Sequence, residues 1–348
     1  MPVSTPLFAA GQDWLAHTLA NASCPVEPGT CALADGTRIS RKALGVLEVS
    51  PPPERRNPNN EALIVSAGVH GNETAPVELL NQLVSELLNG DWPLACPLLL
   101  ILGNPPAMVA GTRFIDANMN RLFRGAHKRP EYRELPEAER ARNLENLCRE
   151  FARKHPRLAL SHYDLHTAIR PSRREKFALY PFVAGRQVPP DQCAFLLEAR
   201  VETLLLQHRE GTTFSSFSSS ELHAESFTLE LGKVRPFGQN DPVRFAGIRN
   251  ALRRRFKGEA APATDGAGTL TLFEVVHEII NTGGDFRFLV PDDAPNFTEY
   301  SPGTLIWEDG SDSYRVGDRP EAIVFPNRHV PEGQRVGLMI RPRQLPET

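Results

Sequence analysis

Ala62-Leu63-Ile64-Val65-Ser66-Ala67-Gly68-Val69-His70-Gly71-Asn72-Glu73-Thr74 is the stretch that decides the fold. Its opening apolar run has the length of a buried strand, and the segment 75–88 that follows repeats its apolar residues at helical spacing. A strand covered on both faces reads as a near-continuous hydrophobic run. The junction therefore marks an α/β unit, and in such sheets ligands gather beyond the carboxyl ends of the strands. His70 and Glu73 stand there, three residues apart.

Working outward, the same alternation recurs. Strands are expected at 97–102, 158–165, 177–183 and 226–231, with helices at 136–154, 190–208 and 242–257. The expected fold class is α/β, a mostly parallel or mixed sheet flanked by helices. Ahead of it, Leu7, Phe8, Trp14, Leu15 and Leu19 suggest an amphipathic opening helix, and Cys31 to Ile39 reads as a hairpin whose Asp35-Gly36 suits a type I′ turn. These precede the Pro/Asn-rich loop at 51–60. Glu259 to Gly268 is rich in small residues and Pro without periodicity, a linker. Beyond it, Thr269 to Val276, Phe286 to Val290, Ala322 to Phe325 and Gly337 to Ile340 look like short strands. The expected domains are thus a catalytic unit at 1–258, a linker at 259–268 and a small β-rich unit at 269–348.

A chain of 348 residues can bury a full core. Its net charge of -3 gives no electrostatic reason for a nucleic-acid or acidic-membrane partner. The cysteines at 24, 31, 96, 148 and 193 are scattered, with no Cys-x-x-Cys pair, so neither thiolate metal sites nor a disulfide framework is expected. Met1 to Ala10 has no basic segment before an apolar core, so no signal peptide is expected. No apolar run approaches the ~18 residues of a membrane span. The expectation is a soluble, cytoplasmic protein. The oligomeric state stays open, a homodimer included.

His70, Glu73 and His166 supply two imidazoles and a carboxylate, three ligands for one Zn²⁺ with the fourth position left to water. Taken alone, Glu73 could equally cap the helix it opens. His162, Asp164 and His166 share one face of a strand and could form a rival site. The preferred division makes His166 the ligand, Asp164 the acceptor that holds its other N–H, and His162 structural. Glu230 lies opposite Phe227, Leu229 and Leu231 on its strand, a costly place for a carboxylate that is neither paired nor functional. It is either a general base or a salt-bridge partner of Lys233 or Arg235. Arg113 and Arg121 can grip a carboxylate or an oxyanion, although most of the 39 Lys and Arg must be solvated surface. Arg170, Arg173 and Arg174 are ambiguous in the same way.

From about Glu61 to Gly238 the chain resembles the succinylglutamate desuccinylase and aspartoacylase family of zinc carboxypeptidase-like hydrolases. Gly-Val-His70-Gly-Asn-Glu73-Thr is similar to the first metal motif of that family, and Asp164-Leu-His166-Thr to its second. Thr228-Leu-Glu230-Leu-Gly matches the segment of the catalytic glutamate, and Thr112-Arg113-Phe-Ile-Asp-Ala-Asn-Met-Asn120-Arg121-Leu-Phe that of substrate binding. The resemblance implies one zinc per chain on His70, Glu73 and His166, and Glu230 as base. It also implies that Arg113 polarises the scissile carbonyl while Asn120 and Arg121 hold a substrate carboxylate. It implies a smaller β domain closing over the site. Thr228 to Gly238 and Asn118 to Arg121 look closer to the desuccinylase branch. This implies a small N-acyl amino acid dicarboxylate as partner, N-succinylglutamate, in the last step of bacterial arginine catabolism by the succinyltransferase route. Arg170 or Arg173 would meet the succinyl carboxylate. The rivals are N-acetylaspartate deacylation, carboxypeptidase action, or an idle metal- or carboxylate-binding protein.

Overall fold

The computed structural model describes residues 7–8, 11–24, 26–261 and 269–343. The first part of the chain forms α1 (Trp14–Ala20), β1 (Gly29–Ala32), β2 (Arg38–Ala43), β3 (Val46–Ser50), β4 (Glu61–Ala67), α2 (Thr74–Leu88), β5 (Leu98–Leu102) and α3 (Pro105–Ala110). There follow α4 (Pro136–Lys154), β6 (Ala159–Ala168), β7 (Phe177–Tyr180), α5 (Pro190–Glu198), β8 (Thr203–Leu206), α6 (Phe214–Glu221), β9 (Glu225–Lys233) and α7 (Ala246–Phe256). The last part is β10 (Thr271–Ile280), β11 (Arg287–Phe288), β12 (Thr298–Tyr300), β13 (Leu305–Asp309), β14 (Asp312–Arg315), β15 (Glu321–Val324) and β16 (Arg335–Pro342).

Among the described residues, thirteen strands form one mixed sheet in the order β1-β2-β3-β5-β4-β6-β9-β7-β8-β10-β16-β15-β12. Its centre, β5-β4-β6-β9, is parallel, and β7 then reverses against β9. Every residue of β4 is buried. Leu63 and Val65 pack on one face with Leu80, Leu83 and Leu87 of α2 and Leu252 of α7. Ala62 and Ile64 pack on the other with Ala141, Leu144, Cys148 and Phe151 of α4. Each of these Leu, Val, Ile and Phe side chains contributes about 1.5–3 kcal/mol by leaving water, which anchors the central strands.

The β-rich part begins where β10 pairs in parallel with β8 through Thr271–Glu274, then continues against β16. A second sheet, β11-β13-β14, lies beside it, around a core of Ile279, Val290, Ile306, Ile323, Val336 and Met339. Of the expected linker, residues 262–268 lie outside the described residues.

Three local expectations are corrected. The helix expected over 190–208 ends at Glu198. Arg200 takes φ +62° while Arg200 and Val201 donate to Leu197 and Leu196 O, the double closure that terminates a helix with a left-handed residue. Thr203–Leu206 is then a buried strand. The hairpin at Asp35-Gly36 is not type I′, because of the two only Gly36 has positive φ, +88°. Gly36 N donates to Leu33 O and Leu33 N to Thr37 O, a three-residue loop with glycine in the left-handed position. Finally, Phe214–Glu221 is a helix without having been expected as one.

Candidate active site

The carboxyl ends of β4, β6 and β9 build the site. The parallel registers place Ser66 beside Asp164, and Asp164 beside Thr228 and His166 beside Glu230. Beyond β4 the chain must turn within the six residues 68–73 to begin α2. Gly68 takes φ +65° there. Gly71 serves for closeness rather than for turning: a Cβ on it would lie 2.1 Å from the Ala107 carbonyl carbon. Gly71 N also donates to Arg113 O, tying the Arg113 segment to the turn that carries His70 and Glu73.

His70, Glu73 and His166 are 3%, 1% and 2% exposed. Their candidate ligand atoms all lie within 4.8 Å of one another, the one such cluster among the described residues. His70 Nδ1 is 2.8 Å from Glu73 Oε1, and His166 Nδ1 is 2.8 Å from Glu73 Oε2. The opposite ring nitrogens face acceptors: His70 Nε2 is 3.0 Å from Asn118 Oδ1, and His166 Nε2 is 2.9 Å from Asp164 Oδ2. A neutral imidazole that gives its Nε2 proton to an acceptor keeps a lone pair on Nδ1. Two lone pairs and a carboxylate converging in a buried site repel one another unless positive charge lies among them. Such a donor set, with each imidazole steered from behind, fits a divalent metal.

Glu73 begins α2 but makes no side-chain cap bond there. Its oxygens instead accept from Arg113 Nη1 at 2.7 Å and Thr167 N at 3.0 Å. Burial opposes its charge, but His70 and His166 override that and hold the carboxyl well below its ordinary range. Without a metal a proton on His166 Nδ1 supplies that positive charge: burial opposes it, but Asp164 and Glu73 raise the ring well above the ordinary imidazole value, and a bound cation takes the proton's place. His162 stays outside the cluster because both its nitrogens meet serine hydroxyls, Nε2 that of Ser66 at 2.8 Å and Nδ1 that of Ser218 at 2.7 Å.

Glu230 is half-buried beside this cluster. Its Oε2 has no hydrogen-bond partner among the described residues, while Lys233 and Arg235 are exposed. Burial first, then the Glu73 carboxylate, push its pKa up to about 7, the range that suits proton transfer at neutral pH. Arg113 is one-third exposed at the rim (33%). Arg121 opens to solvent in a recess where surrounding protein, then Arg335 and Arg113, pull its pKa down to about 10. The Asn120 Oδ1 is engaged in accepting from Phe214 N at 2.9 Å. Arg170 reaches the Asp292 carbonyl, Arg174 donates to Thr203 Oγ1 at 3.1 Å, and Arg173 is exposed. Asn118, behind His70, is the site residue that spacing alone did not single out. Its partner lies 48 positions away, and its own segment has no periodicity to give it direction.

A mixed α/β sheet with a two-histidine, one-glutamate cluster at its carboxyl edge, next to a β-rich part, defines the class. Residues 59–255 match the succinylglutamate desuccinylase/aspartoacylase catalytic domain, and residues 268–343 match the AstE/AspA barrel-sandwich hybrid domain. A succinylglutamate desuccinylase of Pseudomonas paraeruginosa is 45% identical over 90% of this chain and 93% of its own. One of Shewanella frigidimarina is 41% identical over 95% and 96%. The crystal structure of a succinylglutamate desuccinylase from Chromobacterium violaceum superposes with TM-score 0.83 at 37% identity, over 96% of this chain and 99% of the other. The chain belongs to the succinylglutamate desuccinylase/aspartoacylase family.

Proposed function

We propose that this chain is a zinc-dependent amidohydrolase that cleaves N-succinyl-L-glutamate to succinate and L-glutamate. The observation that carries the proposal is the convergence of two imidazole Nδ1 atoms on the two oxygens of Glu73, with Glu230 alongside. Identity of 45% over most of the chain to a succinylglutamate desuccinylase supports the substrate.

His70, Glu73 and His166 would hold the ion. When bound, it supplies Lewis acidity and activates water as a nucleophile at neutral pH. Glu230 takes the proton of the attacking water and passes it to the departing glutamate nitrogen. Arg113, fixed beside Glu73, donates toward the amide oxygen as negative charge develops there. Arg121, open to solvent and without a carboxylate partner among the described residues, presents its fork to a substrate carboxylate. Asn120, whose oxygen is held by α6, has its amide nitrogen to offer.

This reading includes a catalytic domain running to residue 258 and a β-rich domain from 269, in keeping with the two family matches. It also places the enzyme in the cytoplasm, at the last step of arginine catabolism. Among the described residues no helix is long and apolar enough to cross a membrane. The test compares hydrolysis of N-succinylglutamate, N-acetylaspartate and a dipeptide by the zinc-loaded protein. Preference for the first supports the reading; preference for either of the others, or no turnover, refutes it.

A further inference from the structure

Behind the cluster runs a line of buried polar groups that the reaction does not use. Asp164 receives His166 Nε2 on Oδ2 and the Ser66 hydroxyl on Oδ1 at 2.6 Å. The Ser66 oxygen is 2.8 Å from His162 Nε2. His162 Nδ1 is 2.7 Å from the Ser218 oxygen, which lies 3.3 Å from Phe214 O. Ser66, His162, Asp164 and Ser218 are all 0% exposed, so bulk water does not reach them.

We propose that Ser66, His162 and Ser218 form a one-way hydrogen-bond chain that positions Asp164, and through it His166, for metal binding. The direction follows from counting protons. A serine hydroxyl has one hydrogen, and that of Ser66 goes to Asp164 Oδ1 at 2.6 Å. Ser66 can then only accept from His162, so His162 carries its proton on Nε2. Burial brings the pKa of His162 down to about 4, so Nδ1 keeps its lone pair and, at 2.7 Å, takes the single Ser218 proton in preference to the Phe214 carbonyl at 3.3 Å. Every donor in the line points toward Asp164. Its two oxygens are thereby committed, one to Ser66 and one to His166, and the His166 ring is left with Nδ1 facing Glu73.

The chain also ties α6 to the centre. The sequence Phe-Ser-Ser-Phe-Ser-Ser-Ser-Glu is a poor helix former. Its serines are instead used against neighbours: Ser218 on His162, Ser215 on Thr228 at 2.7 Å and Ser219 on Arg186 at 2.7 Å. Phe214 packs edge-on against the His162 ring, centroids 4.7 Å apart, and its N–H holds Asn120. A helix that seats a proposed substrate residue therefore also orients a proposed ligand. Ser66, His162 and Ser218 are positioning residues; none touches the cluster itself.

The inference rests on the metal reading above, and the test separates the two. Zinc dissociation constants are measured by chelator competition for wild type, Ser66→Ala and Ser218→Ala, together with visible spectra of the cobalt-substituted proteins and melting of the metal-free forms. Ser66→Ala is expected to weaken zinc binding about tenfold and to alter the cobalt bands, with a smaller change of the same sign for Ser218→Ala. If both variants keep wild-type zinc affinity and cobalt spectra while melting earlier, the chain only braces the core and the inference is overturned. Wild type that takes up no zinc overturns the underlying site. Should Ser66→Ala fail to fold, Ser218→Ala decides alone.

Discussion

His166 and Glu230 are register partners on the neighbouring parallel strands β6 and β9. The pairing brings a candidate ligand and a candidate proton carrier side by side through backbone geometry alone, without a flexible loop between them. Replacing Glu230 by Gln keeps size and removes the base. The expected result is a fall in kcat of about 10²–10⁴-fold with zinc affinity unchanged. Near-normal kcat would remove Glu230 from the reaction.

The same carboxyl sets a pH dependence. Burial and Glu73 raise it to about 7, so it gains a proton, and loses its use as base, as pH falls through that range. Nearby divalent charge favours the carboxylate and moves the transition lower. In the zinc-loaded protein kcat/KM should therefore decline on the acid side, with a midpoint at or below about 7. A kcat/KM that rises as pH falls through this window would contradict the assignment.

Arg113 and Arg121 should separate kinetically. Arg113 is held beside Glu73, so Arg113→Lys should lower kcat by about 10²-fold with a modest change in KM. Arg121→Lys keeps the charge but loses the planar fork, and KM should rise about tenfold with kcat little changed. Steady-state kinetics on both variants checks this, and an exchange of the two patterns would reverse their roles.

His162 makes metal-free stability sensitive to acid. Its folded value, about 4, lies below its ordinary 6.5. The contribution is complete above 6.5 and disappears as pH falls toward 4, because the unfolded chain then binds the extra proton. The loss should approach about 3 kcal/mol. Urea melts between about pH 7.5 and about pH 4.5 should show it in wild type and much less of it in His162→Gln. Equal acid sensitivity in both would show that His162 is not the source.

The central strands were legible because they are buried on both faces, and Ala62 to Ala67 can be nothing else at that length. Helix 136–154 was legible because Ala138, Ala141, Leu144, Cys148 and Phe151 keep helical spacing on its buried side. At 190–208, by contrast, Leu197, Val201, Leu204 and Leu205 prolong that spacing past the true end of the helix. The break is a backbone event at Arg200, which carries no glycine to announce it. The helix at 214–221 was hidden by its serines, whose partners are up to 56 positions away. The candidate ligands could be read from spacing, since His70 and Glu73 are three apart after a strand. Asn118 could not, because only the folded chain brings it behind His70.

The most direct measurement is zinc content and succinate release followed on one sample, before chelation, after it, and after zinc is returned. One zinc per chain is expected, with loss of succinate release from N-succinylglutamate on chelation and recovery with zinc, none of which His166→Ala should show. Succinate release that persists at full rate in metal-free protein would contradict it.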